Sequence, residues 1–353
     1  MAKIDFLFEK LLSSDASDLH MTEGMQPKIR LHGRLVTLQD QPVLTSQIMR
    51  GYMEEICLPE RWKHFLEHKD LDFAYGLGTK ARFRSNYYFQ NHGLGCVFRL
   101  IPSRIKTLEE LKLPPVLKTF AMLHSGLVLV TGPTGSGKST TLAAIIDFIN
   151  ERESRHILTI EEPIEFVHPI KKSVICQREV GIDVPDFAGG LRTAVRQDCD
   201  VILVGEMRDL ETISLAITAA AMGTLVYGTL HTNSAVKTID RIIDVFPSGQ
   251  QPQIRTMLAD SLKGICAQIL LKTVDGKRAA CNEILVANSG LAASIREGNI
   301  ANIRNIIQGG RDQGMQLMDD TIMKFLQSKT IDGHEAYMKA LDKQRFAQLV
   351  PKE

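Results

Sequence analysis

The sequence predicts an α/β protein: a parallel sheet at the centre, a small mixed α+β domain before it and helices after it. Three observations carry that prediction. Short, wholly apolar runs at 127–130, 157–160, 201–204 and 225–230 alternate with helical patterns, as strands buried on both faces of a parallel sheet do. Prolines at Ile101-Pro102 and Pro114-Pro115 bracket a stretch that reads as a linker, because proline removes a backbone donor and biases its predecessor away from helix. From about Ala287 onward, glycines at 290, 298, 309, 310, 314 and 333 punctuate helical patterns. The expected division is therefore 1–100, a linker at 101–115, and 116–353 with its terminal helices from about 287.

Taken in order, residues 3–13 place Ile4, Leu7, Phe8, Leu11 and Leu12 on one face of a short helix. Residues 27–38 alternate and turn at His32-Gly33, which predicts a hairpin. Strands follow at 81–89 and 95–100, separated by 91–93. The long uncharged stretch 213–230 contains Ser214, Thr218, Thr224 and Thr229 and is interrupted by Gly223, so it reads as a buried helix, a glycine cap and a buried strand rather than a membrane span.

A chain of 353 residues has room for about two domains, and 44% hydrophobic with 24% charged residues is a globular composition. Lys plus Arg number 42 against 41 Asp plus Glu, so no basic footprint points to a nucleic-acid partner. The six cysteines include no C-x-x-C pair, which disfavours a zinc cluster or disulfide framework. Asp5 and Glu9 interrupt the apolar residues at the N-terminus, so no signal peptide is expected and the protein should stay in the cytoplasm.

The segment GPTGSGKST, comprising Gly132, Pro133, Thr134, Gly135, Ser136, Gly137, Lys138, Ser139 and Thr140, holds the G-x-x-x-x-G-K-S pattern between an apolar strand and a helix. The glycines let backbone N–H groups turn toward phosphate oxygens, and the helix start adds its positive dipole end. Lys138 should reach the β- and γ-phosphates of ATP, and the Ser139 hydroxyl should ligate Mg2+. Hydrolysis also needs a carboxylate near the metal and a group to orient water. Glu206 stands just past the strand 201–204, and Glu161, Glu162 and Glu165 follow the strand 157–160. In a parallel sheet both clusters should face the phosphate loop, since ligands sit beyond the carboxyl ends of the strands. For Glu161 and Glu162 the alternative is a solvated loop charge or helix cap. His231 ends the strand 225–230 at the same edge, where it is either structural or a sensor of the γ-phosphate.

Four segments in order, GPTGSGKSTTLAA at 132–144, ILTIEEPIEFVH at 157–168, VILVGEMRDLET at 201–212 and GTLHT at 228–232, resemble the secretion ATPase family that powers type II secretion and type IV pili. The resemblance extends to ASDLH at 16–20 and ARFRSNYYFQNHG at 81–93. It implies a PAS-like N-terminal domain and a RecA-like core, assembled as a cytoplasmic homohexamer that works at an inner-membrane platform protein of the pilus, beside a possible paralogous ATPase. Retraction of the pilus is the implied work, with Glu165 catalytic, Glu206 at the metal, and Arg82, Arg84 and Arg99 approaching the nucleotide. Glu162 stands where the family usually has aspartate, Cys199 replaces a usual proline, and Ala221-Met222-Gly223 replaces Glu-Thr-Gly. The surface motif AIRNLIRE, associated with retraction, begins here as Gly290-Leu-Ala-Ala and continues as Ser294-Ile-Arg-Glu. An accessory retraction ATPase, an assembly or secretion ATPase, and a RecA-like nucleic-acid motor are the alternatives. A nucleotide-sensing scaffold without turnover is a fourth.

Overall fold

The computed structural model describes residues 2–14, 16–31, 33–78, 80–101 and 104–349. The chain forms two compact units, Met1–Arg104 with Glu162–Val167, and Ile105–Glu161 with His168–Glu353.

In the first unit, β1 (Asp18–Thr22), β2 (Lys28–Leu31), β3 (Arg34–Thr37), β4 (Asp70–Leu77), β5 (Ala81–Gln90) and β6 (Gly93–Ile101) form a six-stranded sheet in the order β3-β2-β1-β6-β5-β4. Every neighbouring pair is antiparallel. The hairpin expected at 27–38 is β2 and β3; His32 at its turn lies outside the described residues, as does Pro102 of the expected linker. Alternation along β5 decides the layering: Phe83, Ser85 and Tyr87 point inward, while Arg82, Arg84 and Asn86 point out. Helices Asp5–Ser13, Ser46–Glu55 and Pro59–His68 bury Phe8, Met49, Met53 and Phe65 on the inward face. Phe8 stacks on Phe83 at 4.4 Å between ring centroids and meets Phe98 edge-on at 4.9 Å. Tyr87, fully buried, satisfies its hydroxyl by donating to the Met53 carbonyl at 3.0 Å.

In the second unit, β7 (Gly126–Thr131), β8 (His156–Glu161), β9 (Val174–Glu179), β10 (Val201–Val204), β11 (Leu225–Leu230), β12 (Leu262–Lys272) and β13 (Arg278–Val286) form a seven-stranded sheet in the order β13-β12-β7-β11-β10-β8-β9. Only β13 runs antiparallel to its neighbour. The four apolar runs of the sequence are β7, β8, β10 and β11. Their continuity has a direct cause: Leu127 and Leu129 enter one core while Val128 and Val130 enter another on the opposite face. Each fully buried leucine contributes about 2 kcal/mol relative to exposure. Leu108 and Leu113, inside the stretch read as a linker, are buried and pack with Leu117 in this unit. The stretch 213–230 is the helix Leu210–Ala221 followed by β11. Beyond β13, short helices from Ser289 onward complete the unit, and Met318, Ile322, Ala336 and Phe346 cover Ile269, Leu271 and Cys281. Among the described residues no helix is long and apolar enough to cross a membrane.

Candidate functional site

Parallel register brings the carboxyl ends of four strands of the second unit to one edge. Thr131 of β7 is level with Leu230 of β11, Gly228 of β11 with Val204 of β10, and Val204 with Ile160 of β8. The phosphate loop, Glu206, His231 and Glu161 each follow or end one of these strands, so sheet geometry alone gathers them.

The loop from Gly132 to Gly137 leads into the helix Lys138–Arg152. Two of its glycines have no substitute. A Cβ at Gly132, which has φ 148°, would lie 2.1 Å from the Gln268 carbonyl oxygen, and Gly137 takes φ 87° to turn the chain into the helix. Side chains cap other helices of the unit: Asp186, Asp209 and Ser234 accept from Gly189, Thr212 and Lys237 N–H groups. Gly137 has no side chain to offer, so the first amides of Lys138–Arg152 receive no such cap and retain the donors and the dipole that suit an anion. The Lys138 ammonium donates to the carbonyls of Gly132 at 2.8 Å and Pro133 at 3.3 Å, lying across the loop. Ser136 is buried, whereas Pro133, Thr134, Gly135 and Ser139 are exposed and Thr140 is half-buried. A cradle that only glycine fits, uncapped amides and a lysine inside the loop together suit a polyphosphate.

Glu206 is the carboxylate that this edge organises most closely. Its side chain is 16% exposed and accepts from His231 Nε2 at 2.9 Å, and the Arg208 guanidinium pairs with the same oxygen. Burial pushes its carboxyl upward, but the Arg208 hydrogen bond and the charges of His231 and Arg208 outweigh it and hold the carboxyl below its ordinary value. Glu206 is therefore ionised at neutral pH. Thr229 Oγ1 donates to the Gly205 carbonyl at 2.5 Å and Met207 N–H to the Thr229 carbonyl at 2.9 Å, which locks the turn carrying Glu206 against β11. Glu161 is committed within its own sheet, accepting from Thr159 Oγ1 at 2.7 Å and Gln177 Nε2 at 3.2 Å.

The remaining candidates belong to the first unit. Glu162 is exposed, and three residues on Glu165 faces Arg84 at 3.8 Å. Arg82 Nε donates to the Ile164 carbonyl at 3.0 Å, so two outward arginines of β5 hold the segment that carries Glu165. Arg84 lies directly across from Arg99 on β6, and Arg99 donates to Asp18 at 2.8 Å. The arginines and Glu165 thus gather in one unit, while Lys138, Ser139, Glu161, Glu206 and His231 gather in the other. Arg208 was missed in the sequence, although its place two residues after Glu206 in VGEMRD is a signal that could have found it. Gln268 was also missed, and nothing in its neighbourhood advertises it. Among the described residues no three His, Cys, Asp or Glu side chains form a metal cluster. A hard ion such as Mg2+ needs only one or two protein oxygens beside phosphate and water, and the Ser139 hydroxyl with the ionised Glu206 are oxygen donors of that kind.

The sequence profile described as type II/IV secretion system protein matches residues 76–348. The chain is 46% identical to the type IV pilus retraction ATPase PilT of Pseudomonas aeruginosa, over 94% of this chain and 96% of that one. It is 39% identical to the type IV pilus ATPase PilU of the same organism, over 89% and 84% of the two chains. Among solved structures it is similar to the pilus retraction motor PilT with bound ADP, at a TM-score of 0.91 and 38% identity over 99% of each chain. That likeness spans both units, the α/β core and the helical C-terminal stretch alike.

Proposed function

From its place in the type II/IV secretion system protein family, to which this chain belongs, we propose that it is an ATP-hydrolysing motor that retracts type IV pili. The observation that carries the reading is the phosphate loop aligned with Glu206 and His231 at one sheet edge, in a chain similar to a retraction ATPase over nearly its whole length. Lys138 exchanges the carbonyls it holds for β- and γ-phosphate oxygens. Ser139 and Glu206 would hold Mg2+, which would supply positive charge against the phosphates. Arg208 and His231 keep Glu206 ionised and aimed. Glu165 orients or deprotonates the attacking water, and Arg82, Arg84 and Arg99 bring guanidinium charge to the nucleotide from a second copy in a hexameric ring. The ring works in the cytoplasm against an inner-membrane platform protein of the pilus, with nucleotide-driven rigid-body motion as its stroke.

One observation favours a second reading, an accessory motor of the PilU kind. The helix Ser289–Glu297 carries Gly290-Leu-Ala-Ala in place of the first half of the retraction motif, with Gly290 and Ala293 exposed and Leu291 buried. Deleting the gene separates the readings. Hyperpiliated cells that no longer twitch establish retraction as the main role, bald cells establish assembly, and cells that twitch weakly only under load establish the accessory role. Purified Lys138→Ala protein that hydrolyses ATP at the parent rate would overturn the enzymatic reading altogether.

A further inference from the structure

Gln268 lies on β12 one residue beyond Ala267, which is level with Thr131 of β7, so it runs alongside the first residue of the phosphate loop. It is 1% exposed, and every end of it is used. Its main-chain carbonyl oxygen occupies the space that a Cβ at Gly132 would need. Its Nε2 donates to the Ser136 carbonyl at 2.7 Å, inside the loop. Its Oε1 accepts from Thr141 Oγ1 at 2.8 Å, in the first turn of the helix that follows, and from Asn282 Nδ2 at 3.0 Å. A peptide carbonyl only accepts, so the Ser136 contact fixes which end of the amide is which, and the other two bonds agree with it. The same Nε2 lies 3.0 Å from the Cβ position of Gly137, directly beneath the turn into the helix.

Asn282 stands opposite Gln268 on β13 and is 2% exposed. Its Nδ2 also donates to Cys266 Sγ at 3.2 Å, and its main-chain carbonyl accepts from Gln316 Nε2 at 2.8 Å and Thr321 Oγ1 at 3.1 Å. A buried amide held by several hydrogen bonds is restrained, and losing one of them leaves an unsatisfied polar group in the interior.

We propose that Gln268 is a positioning residue of the phosphate loop: by tying Ser136 and Thr141 to β12, with Asn282 holding its amide in place, it sets the shape in which the loop meets a nucleotide. The inference rests on the nucleotide reading above. Gln268 itself touches no phosphate; it acts through the loop backbone.

The test uses the full chain with Gln268→Met, which keeps length and removes the polar ends, and Gln268→Glu, which keeps an acceptor for Thr141 and removes the donor to Ser136. Hydrogen exchange at the amides of 134–141 is read without nucleotide, and Kd for Mg·ADP and the Tm of the ligand-free chain are read beside it. Both variants should exchange faster at the loop and bind Mg·ADP roughly ten- to a hundredfold more weakly, as small misplacements of a binding element do. A merely structural amide would lower Tm and leave Kd and loop exchange unchanged, and that result overturns the proposal. Should Gln268→Met not fold, Asn282→Ala, which leaves Gln268 present but removes the Asn282 donor to its Oε1, is held to the same criterion. If the parent chain bound no Mg·ADP, the nucleotide reading would fall, while loop exchange would still decide whether Gln268 sets the loop.

Discussion

The two sheets handle polar residues in opposite ways. The antiparallel sheet of the first unit is covered by helices on one face, so every second residue of β5 and β6 is free to be charged, and Arg82, Arg84 and Arg99 stand out from the strands themselves. The central strands of the second unit are covered on both faces. Their polar chemistry is displaced to the carboxyl ends, into the loop at 132–137, Glu206 and His231. A charged strand residue fits where one face is open; elsewhere the strands are apolar and polar groups stand at the rim.

The largest effect that would sharpen this contrast belongs to the rim. Lys138→Ala should lower ATP turnover at least about a hundredfold, as removal of a group that stabilises transition-state charge does, with little change in melting temperature. Next come the cores. Phe83→Ala in the first unit should cost about 3–5 kcal/mol and Leu129→Ala in the second about 2–5 kcal/mol in urea unfolding, because both side chains are fully buried. A much smaller loss at Leu129 would mean that the doubly covered sheet relaxes around the gap.

A smaller effect depends on pH. Burial pulls the His168 imidazole down to about 4 from its ordinary 6.5, with Asp147 opposing and Lys171 assisting. The folded state resists protonation there, so its contribution to stability is full above about pH 6.5 and is lost as pH falls toward about 4. His168→Gln should flatten that part of the stability profile, read as Tm across the range; an unchanged slope would assign the acid sensitivity to other groups. The smallest stability effect is expected on the open face. Arg84→Ala, whose side chain is 43% exposed, should cost less than about 1 kcal/mol yet reduce turnover. Equal loss of stability and turnover would make the outward arginines structural.

The strands β7, β8, β10 and β11 were legible because both faces of each meet apolar cores, so no polar residue interrupts the run. The strands β12 and β13 were not, for a physical reason. They bury Gln268, Asn282 and Glu283, which satisfy one another and nearby backbone, and a satisfied polar residue looks in sequence like an exposed one. The edge strand β9 was also hidden: Val174 is 64% exposed there, and its pattern carries little contrast. The helices Ser46–Glu55 and Pro59–His68 had local signals, Thr45 as N-cap and Pro59 at the first turn, that went unused. At the site, the loop and Glu206 could be read from spacing. The pairing of Glu165 with Arg84 could not, because it joins distant positions in the chain and nothing in either segment names its partner.

The position of β7 between β12 and β11 has a mechanical consequence. Both neighbours run parallel to it, and their hydrogen bonds flank it along its length. A pull on the phosphate loop along the strand axis therefore loads those bonds together, in shear, rather than opening them one after another from an end. The loop at 132–137 is thus anchored to a strand braced on both sides.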